Sequence, residues 1–409
     1  MAHILVLVHR LPYPPNKGDK IRAFHLLDHL ARSHSLDLGC YMDDPADAVQ
    51  IAPLKARLRP ALAALKVVKV SKSTRWLGAL MALFTGRPLS FGAYPARAMR
   101  RWVRRRLSSR PPDLVLCISG VSAHLAMPLV PNGCPVWFDM VDVDSAKWAA
   151  YGAGGGLMAA LYRLEARRVA RAEACLSAAA RRVSLVSEPE AELARQRLPD
   201  VPVDRVVAIG NGVDLSAFDP DRYAAPDAPD HLVFTGDMDY APNQEAMRWF
   251  LAHVWPTVVA ARPHARLVIA GRGGAALGPV VARAPGDVRQ TGAVEDMAAH
   301  IAAAAIVIAP LQTARGLQNK VLEGMAMARP VVATSAAHEG ILAVAGKDLM
   351  VVDAPADMAD SLLGLMAEPG RARALGERAR AAVHHHHAWP AILKNVDRLV
   401  AELTGDQPA

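Results

Sequence analysis

One stretch restricts the fold more than any other: residues 301–340, centred on ARGLQNKVLEGMAMARPVVATSAAHEG. Its apolar segment 305–309 ends at Pro310 and reads as a fully buried strand. A polar loop containing Gly316 leads to a helix expected from about residue 319 to 328. Arg329-Pro330 stops that helix, because proline has no N–H to give and its ring blocks the next turn. VVATS then reads as a second buried strand. Strand, loop, helix and strand in that order form a βαβ crossover, which requires a parallel sheet. Open parallel sheets bind ligands beyond the carboxyl ends of their strands.

The helix carries chemistry as well as packing. Val321, Leu322 and Met325 form its apolar side. Lys320 and Glu323 are three apart and share another face, with Asn319 one turn before Glu323. A cation beside the free amides of a helix start suits a phosphate. An ionised carboxylate one turn further in only accepts hydrogen bonds, which suits sugar hydroxyls. A surface Lys–Glu pair on an ordinary helix has the same spacing.

These residues resemble the donor-site motif of family-4 glycosyltransferases, which have the GT-B fold. That motif has a glutamate, seven residues, and a second glutamate opening an EAMA-like helix before a PVV strand. Glu323-Gly324-Met325-Ala326 and Pro330-Val331-Val332 match its second half, whereas Arg315 stands where the first glutamate belongs. The whole chain is most similar to the sugar transferases associated with the PEP-CTERM/exosortase system.

The resemblance implies an α/β chain of two Rossmann-like, doubly wound domains facing a cleft. Residues 1–205 would form the acceptor side, 206–388 would bind the donor, and 389–409 would return to the first domain as a helix and tail. NGVD (211–214) would close the first domain, and the Asp/Pro/Ala stretch 219–230 reads as the best linker. The implied activity moves a sugar from a UDP- or GDP-linked donor to a lipid-linked or glycan acceptor in (exo)polysaccharide biosynthesis. Configuration would be retained, with no metal and no cofactor.

Site residues follow from the same motifs. The loop GDMDYAPN (236–243) lacks the arginine and lysine with which relatives grip the diphosphate. Lys320 and Arg315 are the expected substitutes, stabilising the departing phosphate together with helix-start amides. Gly236, Asn243, Gly316, Gln318, Asn319 and Glu323 complete the donor side, Arg272 of AGRGG is a weaker candidate, and Val294 begins a turn that would hold the base. Gly18 of the first strand-loop-helix unit lets the backbone approach a ligand. Asp139 and Asp142 at the end of PVWFDMVD either position the acceptor hydroxyl or cap the next helix.

Composition constrains partners and compartment. Cys40, Cys117, Cys134 and Cys175 lie far apart, with no metal spacing, and the run 384–387 of four histidines reads as incidental surface. No cleavable leader and no apolar run of roughly 20 residues are visible, so the expectation is a cytoplasmic protein, peripheral at the inner face of the cytoplasmic membrane. The net charge is +8, and no Asp or Glu occurs from residue 48 to 112. Within that block, Trp76, Leu77, Leu80, Met81 and Phe84 share one helical face, and Met99, Trp102, Val103 and Leu107 share another beside six arginines. Docking of residues 55–110 on an anionic membrane is one reading; two surface helices with a solvated basic rim is the other. Two rival functions stand beside glycosyl transfer: a nucleotide-sugar epimerase of the same fold, and a nucleic-acid binder, which the lack of any nucleic-acid module disfavours.

Overall fold

The computed structural model describes residues 1–15, 18–224, 226, 228–314 and 316–405. The chain divides into two compact units, Met1–Gly210 with Leu393–Ala409, and Asn211–Ile392.

The first unit is built on seven strands: β1 (His3–Val8), β2 (Ser35–Met42), β3 (Leu62–Lys69), β4 (Leu114–Ile118), β5 (Val136–Val141), β6 (Arg182–Leu185) and β7 (Val206–Ala208). They pair in the order β3-β2-β1-β4-β5-β6-β7, and every pair is parallel. The second unit has β8 (His231–Thr235), β9 (Arg266–Ala270), β10 (Asp287–Gly292), β11 (Ile306–Ala309), β12 (Val331–Ala333) and β13 (Met350–Val351). These run β10-β9-β8-β11-β12-β13, again all parallel. Every residue of β1 and of β11 is buried, as near-continuous apolar strands covered on both faces should be. In each sheet the winding reverses between the first and fourth strands, at β1/β4 and at β8/β11. Ligand crevices open at such points, outside the carboxyl ends.

The units meet at Gly210/Asn211, later than the expected 205/206, because β7 is still a strand of the first sheet. Segment 219–230 does not join the units. It lies inside the second, held by Arg380 to Asp219 (3.1 Å) and by the Tyr223 hydroxyl to Asp296 (2.8 Å). The last helix, Trp389–Thr404, begins in the second unit and passes at Leu393 to the first, where Val396 and Val400 are buried.

Two further expectations need correction, one on a helix of the block 55–110 and one on the histidine run. The helix Ala96–Ser109 buries Met99, Val103 and Leu107 in the first core, and Trp102 is half-buried against them, so its apolar face is not free. The helix Lys72–Thr85 buries only Ala82. Of the four histidines, His384 to His386 are exposed but His387 is buried: its Nε2 accepts from the Leu342 N–H (2.8 Å) and its carbonyl from the Val213 N–H (2.7 Å). Burial pushes its pKa down to about 4, which keeps the imidazole neutral for that role. Among the described residues no helix is long and apolar enough to cross a membrane.

Candidate functional site

The second unit brings several of the expected residues together at its switch point. The chain leaves β8 at Gly236, turns through 237–240, and enters the helix Ala241–His253. It leaves β11 at Pro310 and enters the helix Asn319–Ala326, where Val321, Leu322 and Met325 lock onto the sheet. Gly324 is needed there, since a Cβ would press within 3.0 Å of Val307.

Lys320 is the centre of the group. Its Nζ donates to Asn243 Oδ1 (2.5 Å) and lies 4.3 Å from the centre of the Phe234 ring. Asn243 Nδ2 in turn donates to the Asp237 carbonyl (2.9 Å), which fixes the amide orientation. Burial, against the opposing pull of Glu323, lowers the Lys320 pKa to about 7. Burial likewise raises Glu323 to about 7, with Lys320 opposing it. The ammonium has an amide and an aromatic face as neighbours and, among the described residues, no carboxylate in contact, an arrangement that leaves it available to a bound anion.

Glycines allow this closeness. Gly236 has φ +151°, and a Cβ on it would lie 2.8 Å from Asn243 Nδ2 and 3.4 Å from Lys320 Nζ. A Cβ on Gly271 would fall 1.7 Å from the Gly236 carbonyl oxygen. The loops after β8 and β9 thus touch backbone to backbone, stitched by Gly236 N–H to Ala270 O (3.0 Å) and Met238 N–H to Arg272 O (2.8 Å). Phe234 and Gly271 were not singled out from the sequence, although a glycine directly after an apolar strand was a usable signal for the latter.

The remaining expected residues divide. Gly316 (φ +66°) accepts from Gln318 Nε2 (3.2 Å), and Asn319 Oδ1 is buried with no hydrogen-bond partner, an acceptor facing no donor. Among the described residues, the Arg272 side chain makes no hydrogen bond to Lys320 or Asn243. It is exposed and ion-paired to Asp237 through Nε (3.0 Å) and Nη2, which neutralises the loop's own acid. Val294 is half-buried in the loop after the edge strand β10. Arg315 lies outside the described residues.

In the first unit Gly18 opens the helix Gly18–Leu30, and Asp19, within its first turn, pairs with Arg10 (2.7 Å) and His9 (3.4 Å). Asp139 is 0% exposed. Both its oxygens are taken, at 2.7 Å each by Arg22 Nε and Nη2 and at 2.6 Å by Ser184 Oγ. Buried and held through both oxygens, it serves the fold as an anchor between the first helix and β6. Asp142, three residues on, is the opposite case. Its Oδ1 is buried without a hydrogen-bond partner, and burial, Glu190 and Asp144 push its pKa up to about 7. The backbone beside it is strained: Val141 has φ +72°, and Ser119 at the end of the neighbouring β4 has φ +85°. A β-branched residue in that region is a genuine outlier, and such strain concentrates at functional sites. Ser119 N–H donates to the Asp139 carbonyl (2.8 Å), and its own hydroxyl is buried and unpartnered.

Residues 229–368, wholly inside the second unit, match the family model described as Glycosyl transferases group 1. No curated protein matches the chain. Among solved structures, sucrose-phosphate synthase from Thermosynechococcus elongatus is similar with a TM-score of 0.72 at 16% identity, covering 100% of both chains. HepE from Anabaena, solved with UDP and glucose, is similar at 0.68 and 12% identity, over 98% of this chain and 100% of that one. A glycosyltransferase from Rickettsia africae is similar at 0.67 and 13% identity, over 99% of each. The chain has the GT-B fold. Within its second unit, residues 229–368 are similar to a glycosyl transferases group 1 domain.

Proposed function

We propose that this protein moves a sugar from a nucleoside-diphosphate sugar to an acceptor hydroxyl, with retention of configuration and without a metal, as a family-4 type enzyme nearest the PEP-CTERM/exosortase-associated transferases. The observation that carries the reading is Lys320: a buried ammonium with no carboxylate contact among the described residues, at the switch point of a parallel sheet, beside a helix start. A diphosphate supplies the missing anion, and its departure is stabilised by that charge and by helix-start amides. HepE was solved with UDP-glucose, which supports UDP as the carrier. Asn319 Oδ1 and the Glu323 carboxyl offer hydrogen-bonding groups to sugar hydroxyls. On sequence grounds Arg315 shares the diphosphate grip. In the first unit Asp142 takes the place expected of Asp139, orienting the acceptor hydroxyl. The acceptor is a lipid-linked or growing glycan in exopolysaccharide biosynthesis.

The test begins with thermal shifts on adding nucleoside diphosphates, since a ligand that binds the folded state raises its stability. Incubation with donor sugar alone then separates the reactions. Release of nucleotide that depends on added acceptor supports transfer, whereas an epimerised sugar nucleotide without acceptor overturns it. Replacing Arg315 with Glu should weaken nucleoside diphosphate binding at least about tenfold, because a hydrogen bond to a charged group contributes roughly 1.5–3 kcal/mol. Unchanged affinity would remove Arg315 from the site.

A further inference from the structure

The first unit displays an apolar surface apart from the residues assigned above to the reaction. The helix Lys72–Thr85 turns Trp76 (79% exposed), Leu77, Leu80, Met81, Leu83 and Phe84 (81% exposed) to solvent. At roughly 100° per residue these six fall in a stripe about 160° wide, and Ala82, its only buried residue, lies opposite the middle of that stripe. Contiguous exposed apolar patches of this kind mark interaction sites.

The outward orientation is fixed by the fold. Ser71 caps the helix by accepting from the Thr74 N–H (3.1 Å), and Gly86 ends it at φ +72°. Gly78 packs against the Gly92 backbone so closely that a Cβ would fall 2.1 Å from the Gly92 oxygen. Arg168 binds the carbonyls of Ala82 (3.1 Å), Leu83 (2.9 Å) and Arg87 (3.1 Å). Rolling the stripe inward would break all of these contacts.

A cationic cluster adjoins the Phe84 end. Arg87, tied to the helix through Arg168, lies close enough to Arg100 and His124 to disfavour charge on both. The Arg100 pKa is lowered by burial first and then by Arg87 and Arg104, and His124 is pushed down to about 4 by burial, Arg100 and Arg87. Arg100 Nε is buried with no hydrogen-bond partner. Residues 48–112 contain no acid of their own to relieve this crowding.

We propose that the helix Lys72–Thr85 and the arginines beside its carboxyl end form a docking site for an anionic phospholipid surface, the stripe entering the acyl boundary and the guanidiniums meeting phosphates. An apolar stripe flanked by clustered cations matches the two layers of such an interface. A second copy of the chain would bring two positive surfaces together. A nucleic acid would satisfy the arginines but not the Trp, Leu, Met and Phe side chains. The docking stands independently of the reaction assigned to the protein.

The test is sedimentation of the full chain with vesicles of phosphatidylcholine, with and without phosphatidylglycerol. Three proteins are compared: wild type, the double variant Trp76→Ser/Phe84→Ser, and the double variant Arg87→Glu/Arg104→Glu. All four side chains are exposed, so folding should survive, and the thermal midpoint of each variant checks this. Wild type should partition at least tenfold more strongly to the anionic vesicles, and each double variant should lose that preference. Equal binding to neutral vesicles would overturn the proposal, as would a Trp76→Ser/Phe84→Ser variant that binds like wild type. A wild-type dimer in sedimentation equilibrium that this variant dissolves would assign the stripe to a second copy instead. Retention of a nucleic acid that competes with vesicles and ignores Trp76 and Phe84 would also overturn it.

Discussion

At the scale of single residues, Lys320 sets function against stability. Burying an ammonium without a carboxylate contact is unfavourable, and the lowered pKa records it. The folded chain releases the Lys320 proton near pH 7 and the unfolded chain near 10, so wild-type stability from this group rises with pH across that window. Lys320→Met should lose roughly 10²-fold or more in kcat/KM, the scale of one charged transition-state contact. The difference in Tm should move in the variant's favour as pH falls from 10 toward 7, and nucleoside diphosphate affinity should fall above about pH 7 in wild type but not in the variant. Titrating both proteins by thermal melt and calorimetry checks each statement. The two aspartates of the first unit separate in the same way. Asp139→Asn leaves Arg22 charged, buried and short of its partner, and should destabilise by about 3–5 kcal/mol. Asp142→Asn neutralises a buried carboxyl whose Oδ1 has no hydrogen-bond partner to lose, so acceptor KM should rise while the urea midpoint holds or improves. Equal midpoints for the two variants would contradict the assignment.

At the scale of elements, the loop after β8 should tolerate no side chain at Gly236. The positive φ and a Cβ 2.8 Å from Asn243 Nδ2 make Gly236→Ala a displacement of Asn243 from Lys320 as well as a backbone strain of roughly 1–3 kcal/mol. Nucleoside diphosphate affinity should drop about tenfold or more, whereas Gly278→Ala, where a Cβ meets nothing within 4 Å, should leave it unchanged. This element was legible in the sequence, because a strand, a glycine, a helix start and the Lys320 helix are each local patterns. What was illegible depended on partners distant in sequence. Asp139 and Asp142 look alike along the chain, and only Arg22 and Ser184, brought in by folding, take one of them out of use. The helices holding Trp76 and Trp102 both have amphipathic sequences. Trp102 and Met99 turn inward because Gly39 of β2 leaves them room: a Cβ there would lie 2.8 Å from Trp102 Cζ3 and 2.9 Å from Met99 Sδ. No periodicity in 96–109 announces a glycine near residue 39.

At the scale of the whole molecule, the two units should differ in what they need to stand alone. Every recorded contact among Gly236, Asn243, Phe234, Gly271 and Lys320 lies within Asn211–Ile392. The junction residues are secured inside that unit too: Gly212 packs on Trp389, where a Cβ would lie 2.6 Å from Trp389 Cδ2, and Val213 binds the His387 carbonyl. A chain of residues 211–392 should therefore fold and still show a thermal shift with a nucleoside diphosphate. Met1–Gly210 is not complete in the same sense, because it includes residues from the far end of the chain. Leu393, Val396, Leu399, Val400 and Leu403 are buried there, and Arg182 pairs with Glu402. Each large apolar side chain contributes about 1.5–3 kcal/mol on burial, so losing five exceeds the whole stability of roughly 5–15 kcal/mol expected for a domain at the lower end of that range. Residues 1–210 alone should aggregate or melt without a cooperative transition, and adding residues 393–409 as a separate peptide or a fused segment should restore one. A sharp, two-state melt for 1–210 by itself would show that the returning helix is dispensable. Failure of 211–392 to bind any nucleoside diphosphate, with a normal melt, would place essential donor contacts outside the second unit.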